Sequence, residues 1–149
     1  MTQIIKPNID GVKVVPLKQF LDERGKIMQM LKSTDEHFNN FAEIHFSFAY
    51  PGVVKGWHVR PSTTSSVAVI YGKVKWVLFD DREVTNNQFQ EVIISKDNYC
   101  RLTVPPMVWV GFKGLSETGS MLLNIANIGH DPLEVDRKNI KEIEFNWNS

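Results

Sequence analysis

Short runs of β-branched and aromatic residues recur along this chain with Gly, Pro, Asn or Asp between them, the pattern of an antiparallel sandwich or barrel. Segment 43–50 alternates most cleanly. Ile44, Phe46, Phe48 and Tyr50 share one face, and Glu43, His45, Ser47 and Ala49 share the other, so the second face of this strand can line a pocket. Segment 26–32 also alternates, with Ile27, Gln29 and Leu31 opposite Met28 and Met30, which predicts a strand partly buried on both faces. Further strands are expected at 12–17, 66–71, 73–80, 89–95, 100–104, 109–113 and 120–126, with Tyr71-Gly72-Lys73 as a turn between two of them. One segment departs from this pattern: Ser33 followed by Glu36 has capping-box spacing and predicts one or two helical turns at 33–41. The expected class is therefore all-β, with one short helix.

Composition narrows the picture. At 149 residues, with 42% hydrophobic and 23% charged positions, the chain fits one globular domain spanning 1–149 with a true core. Lys plus Arg and Asp plus Glu both total 17, so no global field favours a nucleic-acid backbone or an anionic membrane, and an anionic ligand has to be gripped locally. Cys100 is the sole cysteine, which rules out an intrachain disulfide and suits a reducing cytosol. The opening MTQIIKPNID lacks the apolar run of about 7–15 residues of a signal peptide. The run from Val104 to Phe112 is broken by Pro105 and Pro106, well short of the roughly 20 apolar residues of a membrane span. A cytoplasmic protein with no membrane or nucleic-acid partner is expected. The cluster at 137–141 reads as a solvated face.

Chemistry concentrates in Pro51-Gly52-Val53-Val54-Lys55-Gly56-Trp57-His58-Val59-Arg60, followed by Ser65 and Gly72. The spacing is that of a cupin, a small jelly-roll β-barrel, in which Gly52, His58 and Gly72 hold motif positions. Arg60 stands where a metal-binding cupin has its second His, Ser65 where it has a Glu, and Val110, after Pro105-Pro106, where it has a third His. One imidazole cannot supply the three or four ligands of a tight transition-metal site, so neither a metal nor another cofactor is expected.

Three segments carry a closer resemblance, in order and without large gaps: Asp22-Glu23-Arg24-Gly25, Gly52 to His58, and Pro106 to Phe112 leading to Leu115-Ser116-Glu117. Together they resemble the dTDP-4-dehydrorhamnose 3,5-epimerase family, metal-free homodimers of sugar-nucleotide biosynthesis. The resemblance implies that Arg24 meets the nucleotide diphosphate and that Lys55 stands for a second phosphate-binding arginine, keeping the charge without the bidentate fork. It implies that His58 is the general base beside the sugar's keto group, a role imidazole suits. Asp136 is the candidate carboxylate partner, with Glu134 as a fallback, although Asp136 also reads as an exposed charge beside Arg137.

Other positions depart from that family. Ser65 aligns with the lysine that would stabilise an enolate, Leu123 with the tyrosine that would return a proton on the opposite face, and Val110 with a histidine. Ser65, Ser66, His45 and Asn124 are candidates to compensate; His45 and Ser47 fall on the pocket face of 43–50, and Asn124 lies beside the lost tyrosine. Arg24, Lys55, His58 and Arg60 at one barrel mouth point to a binding site. Trp57, Trp76 and Trp109 read as core or dimer-interface residues, or as a platform for a base or sugar ring, and Trp76 replaces a family aspartate.

The leading expectation is an epimerase or related isomerase of a nucleotide-linked 4-dehydro-6-deoxy sugar. Its rivals are a catalytically silent nucleotide-sugar-binding cupin, a sugar 3,4-ketoisomerase, whose paired histidines are reduced here to His58, and a structural cupin with no ligand.

Overall fold

The computed structural model describes residues 8–129 and 131–148. Twelve strands form among them: β1 (Lys13–Pro16), β2 (Gln19–Asp22), β3 (Gly25–Met28), β4 (Glu43–Ala49), β5 (Val54–Val59), β6 (Ser65–Tyr71), β7 (Lys73–Asp80), β8 (Gln88–Ser95), β9 (Cys100–Val104), β10 (Trp109–Gly114), β11 (Ser120–Ala126) and β12 (Asp136–Arg137). Two five-stranded antiparallel sheets, ordered β1-β9-β6-β11-β4 and β12-β5-β10-β7-β8, make an all-β jelly roll of cupin type. The barrel is not closed. Each sheet keeps its own edge strands, and β2 and β3 form a hairpin of their own.

The period-two alternation explains where the core sits. Val67 and Val69 of β6, Leu102 of β9 and Leu122 of β11 point inward from the first sheet to meet Leu78 of β7, Ile94 of β8 and Val110 of β10 from the second. Trp57, Val59, Val77 and Trp109 point the other way, and the C-terminal segment folds over them with Ile140, Ile143, Phe145 and Trp147. Backbone bonds between Trp57 and Lys138 in both directions, at 3.0 and 2.9 Å, tie that segment to β5.

The β6–β7 turn is the expected one, and its glycine is required. Gly72 has φ +84°, and a Cβ there would come within 2.6 Å of the Gly119 carbonyl oxygen and closer still to Ser120 Oγ. Left-handed strain and overpacking together put the cost of Gly72→Ala at about 2–5 kcal/mol, which urea unfolding should show as a lower midpoint with an unchanged slope. An unchanged midpoint would contradict this reading of the turn.

Two expectations need correction. Segment 33–41 forms turns instead of a helix. The Asp35 carboxylate accepts from the Lys32 backbone N–H at 2.8 Å and from buried Arg101 at 3.2 Å, while Arg101 also donates to the Met30 carbonyl. Anchoring Asp35 to a core arginine outweighs the weak local preference of a capping box. The helical turn described lies elsewhere, a 3₁₀ turn at Pro132–Glu134 with Asp131 accepting from Leu133 N–H. Segment 26–32 contributes only its start to β3, and Ile27 is 67% exposed, because the β2–β3 hairpin stands off the core rather than between layers. No helix among the described residues is long and apolar enough to cross a membrane.

Candidate active site

A cavity of about 530 Å³ opens between the two sheets. The first sheet contributes His45 and Ser47 from β4, Ser65 and Val67 from β6, and Leu122 and Asn124 from β11. These side chains converge because His45, Asn124 and Val67 are directly opposed across β4-β11-β6 and so share one face. The opposite wall carries Lys55 and His58 from β5, Trp76 from β7, Val110 and Phe112 from β10, and Arg137 from β12.

Lys55 and His58 are three positions apart and would point to opposite faces of a regular strand. A bulge removes that conflict. His58 opposes Val110 while Lys55 opposes Phe112, so β5 spends one residue more than β10 between the two pairs, and both side chains reach the cavity. Glycines allow the strands to approach there: a Cβ on Gly56 would stand 3.0 Å from the Gly111 Cα, and one on Gly111 would stand 3.0 Å from the Trp147 ring.

His58 is held neutral. Burial is the main cause, followed by repulsion from Arg60 and Arg137, and together they lower its pKa from 6.5 to about 4. Arg137 acts at close range because it is the cross-strand partner of His58, on the same face of the β12–β5 ladder. Lys55, Arg60 and Arg137 line the cavity with no carboxylate among its lining residues, and Lys55 Nζ lies 5.9 Å from the Phe112 ring centroid. A chain with no net charge thus concentrates four cationic residues at one cavity, the fourth being Lys138, whose ammonium lies 4.6 Å from the Trp109 ring centroid.

The other expected site residues fall as follows. Ser47, Ser65, Asn124, His45 and Arg60 line the cavity with Lys55 and His58. Asp136 opposes Val59, whose side chain belongs to the outer cluster, so Asp136 occupies the face of β12 away from Arg137 and does not line the cavity. Glu134 accepts from Ser62 N–H at 2.6 Å and from the Thr63 hydroxyl at 3.0 Å, fixing the rim loop instead of reaching His58. Arg24 sits in the β2–β3 turn, exposed and paired with Asp22 at 2.7 Å, outside the cavity lining of its own chain.

Leu123 opposes Phe46 and Ala68 on the outer face of the first sheet, so the position facing the cavity is Leu122 or Asn124. A one-residue shift in alignment is enough to cause that difference. Trp57 and Trp109 belong to the outer cluster, Trp57 also bordering the cavity, and Trp76 is part of the cavity wall. The cluster at 137–141, expected as a solvated face, instead brings Arg137 and Lys138 to the cavity and packs Ile140 on the outer cluster, and Thr63 joins the lining with no sequence signal of its own. Arg137 is recognisable only through the two-residue strand that sets it beside His58. Among the described residues, no group of three His, Cys, Asp or Glu side chains converges as a metal site would require.

Comparison with known proteins identifies the family. The sequence profile described as dTDP-4-dehydrorhamnose 3,5-epimerase matches residues 6–147. The Bacillus subtilis spore coat polysaccharide biosynthesis protein SpsL is 29% identical over 147 residues, covering 95% of this chain and 97% of its own. The crystal structure of a dTDP sugar isomerase from Desulfovibrio desulfuricans G20 superposes with a TM-score of 0.92 at 32% identity, covering 96% of this chain and 94% of that one. A dTDP-6-deoxy-D-glucose-3,5-epimerase from Legionella pneumophila, solved with dTDP-4-keto-L-rhamnose, superposes with a TM-score of 0.80 at 25% identity over 93% of this chain and 78% of that one. With the motifs in order, the fold shared and the profile spanning nearly the whole chain, this protein belongs to the dTDP-4-dehydrorhamnose 3,5-epimerase family.

Proposed function

We propose that the chain is an epimerase of a dTDP-linked 4-dehydro-6-deoxy sugar serving polysaccharide synthesis, with His58 as the base that removes the proton next to the 4-keto group. The observation that carries this reading is a neutral imidazole set among Lys55, Arg60 and Arg137, with Lys138 at the margin, in a cavity without carboxylates. The cations suit a diphosphate. The imidazole can take a proton once the sugar is anchored. A bound diphosphate would also offset the repulsion that Arg60 and Arg137 exert on His58 and raise its basicity, so substrate binding itself prepares the base.

Inversion needs a proton returned from the opposite side. Leu122 and Val110 cannot give one; His45, on the facing sheet, is the titratable group of that wall among the described residues. Asp136 lies on the far face of β12, so any orienting effect on His58 would act through that strand rather than by contact. Uptake of solvent deuterium beside the keto group of dTDP-4-dehydrorhamnose tests the reading, and binding without uptake would favour a silent sugar-nucleotide-binding protein.

The protein is further proposed to act as a cytoplasmic homodimer. Phe46 and Phe48 are exposed on edge strand β4, and Phe20, Leu21 and Ile27 on the β2–β3 hairpin, an apolar surface that a second copy would cover. Arg24, beyond the reach of its own cavity, would then serve the partner's. Scattering should report about 34 kDa, twice the 17.1 kDa chain. Arg24→Ala should weaken dTDP about 10–100-fold, the worth of one charge-assisted hydrogen bond. A micromolar monomer, or equal binding by the variant, would count against this assignment.

A further inference from the structure

Trp76 is 3% exposed, packed against Phe112 with the rings tilted by 42° and their centroids 4.8 Å apart, and forms part of the cavity wall. Its strand, β7, is paired on both sides, with Trp76 opposed by Phe112 on β10 and by Val92 on β8, so the ring has a fixed seat. Yet its indole Nε1 is buried without a hydrogen-bond partner. Trp57 Nε1 donates to the Ile140 carbonyl and Trp109 Nε1 to Asp81; Trp147 Nε1 is also unpartnered, but it belongs to the outer cluster. Buried donors are nearly always satisfied, so an unpartnered one on a residue of the cavity wall calls for a partner, and a bound ligand can be that partner. On the facing sheet Asn124 Oδ1 is likewise buried and unpartnered.

A donor on one wall and an acceptor on the other call for a ligand that offers both. A diphosphate offers acceptors only, whereas a keto sugar ring offers a carbonyl and hydroxyls. We propose that Trp76 is a catalytic residue whose indole N–H donates to the carbonyl oxygen of the bound sugar, with Asn124 taking a hydroxyl of the same ring. This rests on the epimerase reading for the identity of the sugar. When His58 removes the neighbouring proton, the C–H electron pair moves into a new carbon–carbon double bond and the carbonyl oxygen gains the negative charge. The indole N–H, which stays protonated, stabilises that charge without transferring a proton. Ser65, at the position where the resemblance expects a lysine, leaves the cavity without a cationic donor there. Trp76 supplies a neutral one.

The test combines indole N–H resonances of the nitrogen-15-labelled protein with exchange kinetics, Trp76 being assigned by its proximity to the Phe112 ring. Adding dTDP should leave the Trp76 signal in place, and adding dTDP-4-dehydrorhamnose should move it downfield. Trp76→Phe should slow deuterium uptake about 10–100-fold while keeping dTDP affinity within about twofold. If wild type exchanges protons but the Trp76 signal does not respond, or Trp76→Phe exchanges at the wild-type rate, this role is wrong and the epimerase reading stands. If the signal moves but no proton exchanges, the donor contact stands and catalysis falls. If neither compound binds, both are wrong.

Discussion

His58→Asn is expected to abolish deuterium uptake from heavy water into the carbon beside the keto group of dTDP-4-dehydrorhamnose. Asparagine fills similar space and can hydrogen-bond, but it cannot accept the proton, and positioned general-base catalysis is worth about 10²–10⁴-fold. Binding of dTDP should survive, since the cations remain. His45→Gln should separate the two halves of the reaction: uptake on the His58 side continues, while inversion, which needs a donor from the facing wall, is lost. A His58→Asn protein that still exchanges at the wild-type rate would remove His58 from the mechanism.

The acidity of His58 sets the pH behaviour. With its pKa near 4 in the free protein, the imidazole is unprotonated from neutrality down to about pH 5, so the acid limb of kcat/KM should fall near pH 4. The limb of kcat should lie higher, because bound diphosphate offsets the arginines. Stability follows the same group. Between about 4 and 6.5 the unfolded chain binds a proton at His58 that the native state refuses, so this contribution is largest above pH 6.5 and shrinks as pH falls toward 4. Thermal unfolding of wild type and His58→Asn across that range should show the variant losing less stability on acidification.

Much of the fold was legible because an antiparallel sandwich writes a period of two into its strands. Segment 43–50 is the clearest case: the face holding His45 and Ser47 does line the cavity. The helix at 33–41 failed because Asp35 is bound to Arg101, some 66 positions away in sequence, and to the Lys32 backbone N–H, which holds the segment in turns. No local pattern records that contact. The same limit governs the site. Lys55, His58 and Arg60 are visible in one motif, but their shared face depends on a bulge opposite β10, and Arg137 joins them through a two-residue strand too short to carry any periodicity. Leu123 shows the converse: similarity placed the right strand at the site, and only the register settled which of its residues face inward.

Lys55→Ala combined with Arg60→Ala should weaken dTDP about 10²–10⁴-fold, because each charge-assisted contact to phosphate contributes about 1.5–3 kcal/mol. The loss should be greatest at low ionic strength, where wild-type affinity is highest, and the variant's affinity should depend less on salt than the wild type's. Neither side chain forms an ion pair among the described residues, and Lys55 only borders the Phe112 ring, so the folded state has little to lose and Tm should move by no more than about 2 °C. Arg60 has a second effect. Since it is one of the charges that keep His58 unprotonated, Arg60→Ala alone should raise the histidine's pKa above about 4, and the acid limb of kcat/KM should move up with it. That shift separates the present reading from one in which Arg60 is a solvated surface charge, for which both affinity and acid limb would stay at their wild-type values. Unchanged dTDP binding by the double variant would mean that the phosphates lie elsewhere, and the cavity would lose its claim to be the nucleotide-sugar site.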